Sequence, residues 1–188
     1  MQMAELKLFM LLLGCTPEGR HTEQHDVFFG IGKQLRDLIP DMLDFWPEAK
    51  GKLHIDGWRE VNVVDGHLVR VVEKPATANQ EKQLFFLNLG GYKPNEMEEF
   101  HYKMLSVQKD IGASIRVSKM TTFFKHTTFG TATSHVDDKY GVDVDDVHAV
   151  KDILPARLKE KYTLEITPAE ATAAADELHL GYFQLSKI

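Results

Sequence analysis

The sequence predicts an α+β fold made of two tandem copies of one ββαββ unit, and three observations carry that reading. Leu8, Phe9, Leu11, Leu13 and Gly14 return as Leu84, Phe85, Leu87, Leu89 and Gly90, each displaced by 76 positions (84 − 8). The same offset carries Glu23-x-His25 onto Glu99-x-His101. A shifted echo follows, because His54-Ile55-Asp56 reads again as His135-Val136-Asp137, now 81 apart (135 − 54). Self-similar segments recurring in order are the mark of an internal duplication.

Each element has a local reason. Lys7 to Leu13 is an almost unbroken apolar run ended by Gly14, the pattern of a strand buried on both faces. Val27, Phe29 and Ile31 alternate with Asp26, Gly30 and Gly32, which predicts a second strand over 25–31. Leu35, Leu38, Ile39, Met42, Leu43 and Trp46 then fall on one helical face. Pro40 sits awkwardly inside that helix, so the helix either starts late, with Asp37 as cap and Pro40 in its first turn, or kinks there. Pro47 ends it. Leu53 to Val64 returns to strand character, and Asp65-Gly66 is a tight-turn dipeptide leading into a strand over 67–72. Residues 1–74 therefore form the first repeat, and the small polar stretch 75–82 is a linker.

Residues 83–188 are read as the second repeat, with strands over 83–89 and 101–107. Asp110 is a plausible cap for a helix reaching about Phe124, with Ile111 and Ile115 on its buried side. Ser134 to Asp137 opens the third strand. Asp143-x-Asp145-Asp146 then reads as an acidic insertion, followed by helical sequence up to Leu158. Tyr162 to Ile166 is a fourth strand. Thr167-Pro168-Ala169-Glu170 has the form of a capping box, predicting a helix from Pro168 to about Glu177, and a last strand covers 179–186. A helix across a sheet of one hairpin and one following pair is a β-grasp, ubiquitin-like roll, and two such rolls related by a pseudo-twofold axis are expected. The helix covers one sheet face only. The other face needs the sister repeat, a partner chain or a ligand, of which the sister repeat is the simplest cover.

Composition bounds the function classes. A chain of 188 residues, 43% hydrophobic and 27% charged, is long enough for one domain or two small ones. The net charge of −6 and the lack of a lysine- and arginine-rich stripe exclude a general nucleic-acid binder. The single cysteine, Cys15, cannot form an internal disulfide, which fits a reducing compartment and excludes an intrachain thiolate metal cluster. Lys7 to Cys15 superficially resembles a lipoprotein signal, but its apolar core is short and its pattern recurs in mid-chain, where no signal lies. No stretch approaches the roughly 20 apolar residues of a membrane helix, so a cytoplasmic protein is expected.

Through Leu8-Phe9 to Gly14, Glu23-x-His25-Asp26-Val27, Leu53-His54-Ile55-Asp56, Val64-Asp65-Gly66, Leu84 to Gly91-Tyr92 and Val144-Asp145-Asp146, the chain resembles a bacterial family known only as domain of unknown function 1543. The resemblance spans nearly the whole chain. Cys15 stands where a second glycine is expected, as in Gly90-Gly91. The resemblance implies a fold shared with relatives, and no activity or catalytic residue to carry over.

The constellation that bears chemistry is Glu23, His25, His54 and Asp56, repeated as Glu99, His101, His135 and Asp137. Nitrogen and oxygen donors of this kind suit zinc, manganese or iron, so a divalent transition metal is the cofactor to consider. On a strand, His54 and Asp56 share the face opposite Leu53 and Ile55, and His135 and Asp137 do the same. Two such pairs across a pseudo-twofold would converge on one site. The competing account is structural: each histidine bonds backbone or carboxylate to fix a turn and was copied with the repeat. Asp137, Asp138, Asp143, Asp145 and Asp146 lack the glycine and terminal glutamate of a calcium loop and read as a solvated loop. Cys15 reads as a structural thiol, Trp46 and Trp58 as core and core-edge residues, and Gly30-Ile31-Gly32-Lys33 has neither phosphate-loop nor dinucleotide spacing.

Two functions remain open. One is a non-catalytic binding module whose cleft takes a small molecule or a protein. The other is a metal-dependent enzyme at the repeat interface, with His54, Asp56, His135 and Asp137 as ligands and His25 or His101 as general base. Neither a membrane nor nucleic acid is an expected partner, and a dimer is left open.

Overall fold

The structure, a computed structural model, describes residues 5–75, 80–92, 95–120 and 142–188. The chain divides into two units, one of Met1–Ala78 with Ile153–Ile188 and one of Asn79–Asp152. The fold is mixed α+β, built mostly from antiparallel strands with a few short helices. No described helix is long and apolar enough to cross a membrane.

In the first unit the apolar run forms β1 (Lys7–Cys15), with β2 (Gln24–Gly32) antiparallel on one side and β3 (His54–Glu60) antiparallel on the other. Being antiparallel to the same strand, β2 and β3 run parallel to each other. Their connection is therefore a crossover, which a helix usually supplies. Here it is a 3-10 turn (Leu35–Leu38) running into α1 (Ile39–Phe45). Pro40 lies in the first turn of α1, where its missing N–H costs nothing, so of the two alternatives the late start is the one found, with Leu38 and not Asp37 at the N-cap of α1. Asp37 caps the 3-10 turn, its carboxylate accepting from the Lys33 and Gln34 N–H groups.

Alternation sorts β1 into two faces. Phe9, Leu11, Leu13 and Cys15 join Phe28, Leu38, Met42, Leu53 and Ile55 in the core, with Trp46 and Trp58 packed at its edge. Leu38 and Met42 are wholly buried, and each contributes about 1.5–3 kcal/mol of transfer free energy. Gly30 lets Leu38 lie directly on the strand, because a Cβ there would come within 2.9 Å of Leu38 Cγ. The Cys15 thiol is buried at the end of β1. Burial pushes its pKa up, and the nearby charges of Glu23 and Glu48 push the same way. That environment fits a structural thiol. The opposite face of β1 presents Leu8, Met10, Leu12 and Gly14, of which Leu8 is buried and Met10 and Leu12 half-buried. The expected two-faced burial of this strand holds.

The sequence-predicted roll is corrected at its fourth strand. β4 (Val63–Val64) and β5 (His67–Glu73) form the expected hairpin, with positive φ at both Asp65 and Gly66. β5, however, does not join the sheet of β1. It pairs along its length with β9 (Tyr162–Pro168) in a separate three-stranded sheet, while β10 (His179–Gln184) takes the open edge of β3. Residues 153–188, read from sequence as part of the second repeat, thus return to the first unit.

The second unit centres on β6 (Gln83–Tyr92), flanked by β7 (Glu99–Gln108) and β8 (Val142–Ala149), both antiparallel to it. Asp110 caps α2 (Ile111–Ser118) through a 2.7 Å bond from the Ala113 N–H. The buried side of α2 is Ser114 and Ser118, whose hydroxyls bond the Asp110 and Ile115 carbonyls, whereas Ile111 is exposed. The acidic stretch 143–146 is no insertion. It is the middle of β8, followed by α3 (Val150–Ile153) and α4 (Ala156–Lys161) in the stretch expected to be helical.

The helix predicted from Pro168 to Glu177 does not form. Pro168 ends β9 opposite His67, the Ala169 N–H donates to Gly66 O, and the Asp176 carboxylate accepts from the Asn62 and Val63 N–H groups. Residues 169–177 also carry no large apolar side chain to hold a helix face down, and short unpacked helices are marginal in water.

Candidate metal centre

Three strands bring the first cluster together. Gly14 on β1 is paired to His25 of β2 on one side and to His54 of β3 on the other, so a glycine separates two histidines along the hydrogen-bonding direction. Both imidazoles belong to the face of the sheet opposite the core. β3 carries a bulge here: Ile55 pairs with Leu13 and Gly57 with Leu12, leaving Asp56 as the extra residue. Bulges re-aim side chains, and Asp56 joins His54 on the Gly14 side, as the strand reading expected. Glu23, one residue before β2, completes the group.

Ligand atoms of Glu23, His25 and Asp56 all lie within 4.8 Å of one another, while His54 approaches the other oxygen of each carboxylate. His25 Nε2 lies 3.0 Å from Asp56 Oδ2 and 3.6 Å from Glu23 Oε2. His54 Nε2 lies 3.2 Å from Glu23 Oε1 and 3.3 Å from Asp56 Oδ1. Donors held tetrahedrally at bond lengths of about 2.0–2.1 Å would be roughly 3.3 Å apart. Despite these short approaches, His54 Nε2 and Asp56 Oδ2 are buried without a hydrogen-bond partner. Close approach without hydrogen-bond geometry leaves these buried atoms short of a partner, which a cation between them would supply. Two carboxylates with two neutral imidazoles carry −2, the complement of a divalent ion.

Burial grades across the group. The His54 side chain is 6% exposed, Asp56 25%, and His25 and Glu23 40% and 45%. Tyr182 of β10 covers His54, with ring centroids 4.3 Å apart, and so restrains the imidazole. Gly14 leaves room for these groups, since a Cβ there would lie 2.5 Å from both His54 Nε2 and Asp56 Oδ2 and would push them aside.

The second unit repeats this layout with a different residue set. Gly90 on β6 pairs with His101 of β7 and with Asp143 of β8. The bulge recurs at the matching place, with Leu89 opposite Val144, Asn88 opposite Asp146, and Asp145 the extra residue. Ligand atoms of Glu99, His101 and Asp145 all lie within 4.8 Å of one another. A Cβ on Gly90 would collide with the Asp145 carboxylate.

The register thus makes Asp145 the counterpart of Asp56, at an offset of 89 (145 − 56). His135 and Asp137, matched to His54 and Asp56 by sequence, lie outside the described residues. Sequence reasoning brought together Glu23, His25, His54 and Asp56, and paired Glu99 with His101. It missed Asp145, Gly14, Gly90 and Tyr182. The signal for Asp145 was present in Val144-Asp145, which echoes Ile55-Asp56, but the run of aspartates around it suggested a loop.

No curated protein matches the chain. In fold it is similar to the crystal structure of a protein Il1583 from Idiomarina loihiensis, with a TM-score of 0.62 and 20% identity, covering 96% of this chain and 99% of that one. Residues 20–71, which contain Glu23, His25, His54 and Asp56, match the family described as Domain of Unknown Function (DUF1543).

Proposed function

We propose that the protein is a metal-binding module that holds a divalent transition ion through Glu23, His25, His54 and Asp56. The observation that carries this reading is a pair of buried atoms without a hydrogen-bond partner, His54 Nε2 and Asp56 Oδ2, each 3.0–3.3 Å from an oppositely charged or imidazole group. Two imidazoles and two carboxylates are a donor set suited to zinc or iron. We further read the two sheets as copies of one ββαβ element. The 76-residue offset of β1 and β6, the glycine opposite a histidine, and the bulge at the same step of both sheets support this.

A second reading, a metal-dependent enzyme, is favoured by one feature. His25 and Glu23 are about two-fifths exposed, so the solvent side of a bound ion stays open to water or substrate. Catalytic metal sites keep such a position, and structural ones close it. In this arrangement His25 serves as a ligand, not as the general base.

Elemental analysis of purified protein tests the proposal. One equivalent of zinc or iron is expected at this site, and it is lost in His54→Ala and in Asp56→Asn without loss of folding. Protein that takes up no zinc, iron or manganese on dialysis against each would overturn it.

A further inference from the structure

We propose that the second unit holds a metal centre of its own, at Glu99, His101 and Asp145 with the Asn88 amide beside them, and that it favours a harder ion than the first. The inference extends the metal-binding reading of the Glu23 cluster and rests on it. It begins with the register. Two sheets place a glycine, a cross-strand histidine and a bulged aspartate at matching steps, and a glutamate two residues before the histidine. If this layout binds metal in one unit, the other carries the same scaffold.

The donors differ, and the difference sets the chemistry. Where the first unit has His54 at the register place opposite the glycine, the second has Asp143, so the second imidazole is absent from that place. Where β1 has Leu12, β6 has Asn88, at the same 76-residue offset (88 − 12). That substitution puts a polar group beside the histidine. Asn88 Nδ2 and Asp145 Oδ2 each lie 3.3 Å from His101 Nδ1, and Asn88 Oδ1 is buried with no hydrogen-bond partner. An amide's oxygen and nitrogen exchange places by a flip of the side chain, which would aim the oxygen at the same point as Asp145 and His101.

The resulting donor set is one imidazole, two carboxylates and one amide oxygen, against two imidazoles and two carboxylates in the first unit. Oxygen-rich sets favour manganese and magnesium, whereas imidazole-rich sets favour zinc and copper. The protein would then be a two-site module, selective for a zinc-like ion in one unit and a manganese-like ion in the other. The Glu99, His101 and Asp145 side chains are 39%, 37% and 29% exposed, so their substitution does not empty a core.

The test is manganese binding to the full chain preloaded with one equivalent of zinc, followed by the loss of the free-manganese electron paramagnetic resonance signal. Wild type is expected to bind one manganese. The double variant E99Q/D145N should lose it while keeping the zinc, and H54A should lose the zinc while keeping the manganese. Asn88→Leu, which restores the residue type of β1, should weaken manganese by about 10–100-fold, the usual effect of removing a supporting group. Zinc binding without manganese binding in wild type would overturn this inference and leave the first site standing. Manganese retained by E99Q/D145N would overturn it as well. A protein that binds neither ion overturns both readings.

Discussion

Replacing His54 with leucine separates a metal ligand from a structural histidine by the sign of its effect on stability. His54 is 5% exposed, and its Nε2 has no hydrogen-bond partner. A buried polar atom left in that state costs about 1–3 kcal/mol. Leucine removes the atom and still fills the space beneath Tyr182. In the presence of a chelator, His54→Leu should therefore match wild type or exceed it by about 1 kcal/mol. Zinc reverses the order. At a free concentration about 100 times the dissociation constant, wild type gains about 2.7 kcal/mol by mass action. For a chain of this length that corresponds to a rise in Tm of about 5–11 °C, at roughly 2–4 °C per kcal/mol. The variant should show little of this rise. Calorimetric scans of both proteins, with chelator and with excess zinc in mildly alkaline buffer, measure all four values. A histidine that merely ties down a turn predicts otherwise: the variant is destabilised equally in both conditions, and wild type does not respond to zinc. That outcome would refute the argument from unpartnered atoms.

Other substitutions probe the surroundings. Gly14→Ala places a Cβ 2.5 Å from His54 Nε2 and Asp56 Oδ2, so it should cost about 1–3 kcal/mol in urea titrations and abolish zinc uptake; normal uptake would mean that the donors do not close over the glycine. Arg157→Met removes the guanidinium that donates from Nε and Nη2 to the two oxygens of Asp41, a carboxylate only 5% exposed. Because Arg157 is itself 60% exposed, the loss should be about 1–3 kcal/mol, below the full penalty for a stranded buried charge, and adding Asp41→Asn should recover part of it. Asp37 governs an acid-side effect. Slight burial opposes its ionisation, but hydrogen bonds from the Gln34 amide and the Lys33 and Gln34 N–H groups, with the Lys33 charge, hold its pKa below the usual carboxylate value. A carboxyl depressed in the folded state stabilises fully above its unfolded pKa of about 3.9, and that contribution fades as pH falls through the lower folded value. Asp37→Asn should flatten the acid limb of stability against pH, and an unchanged limb would contradict the capping geometry.

The sequence was a good guide wherever the determining interactions lie within a few residues. Continuous apolar runs identified β1 and β6 because both faces of each strand need greasy side chains, and the run of β1 recurs in β6 76 positions on. The Asp65-Gly66 turn, the late helix start at Pro40 and the Asp110 cap are all settled by contacts between near neighbours. The histidine and carboxylate set of the first unit was legible for the same reason, since Glu23-x-His25 and His54-x-Asp56 each keep a carboxylate two residues from a histidine.

Tertiary structure alone decided which strands pair and how the residues register. Nothing local in Tyr162–Pro168 or His179–Gln184 states that these strands close on β5 and β3, because the partners are roughly a hundred residues away and the choice is made by the sheet edges left open. The Thr167-Pro168-Ala169-Glu170 signal lost for a related reason: its backbone groups found partners at Gly66, Asn62 and Val63 that a helix would have had to replace. The bulge at Asp145 was equally invisible, since one extra residue breaks the period-two pattern by which a strand is recognised. The sequence alone therefore determined most of the strands, the Asp110 cap and the grouping of Glu23, His25, His54 and Asp56. Pairing and the bulge, set by backbone hydrogen bonds between distant segments, decided that Asp145 is the counterpart of Asp56.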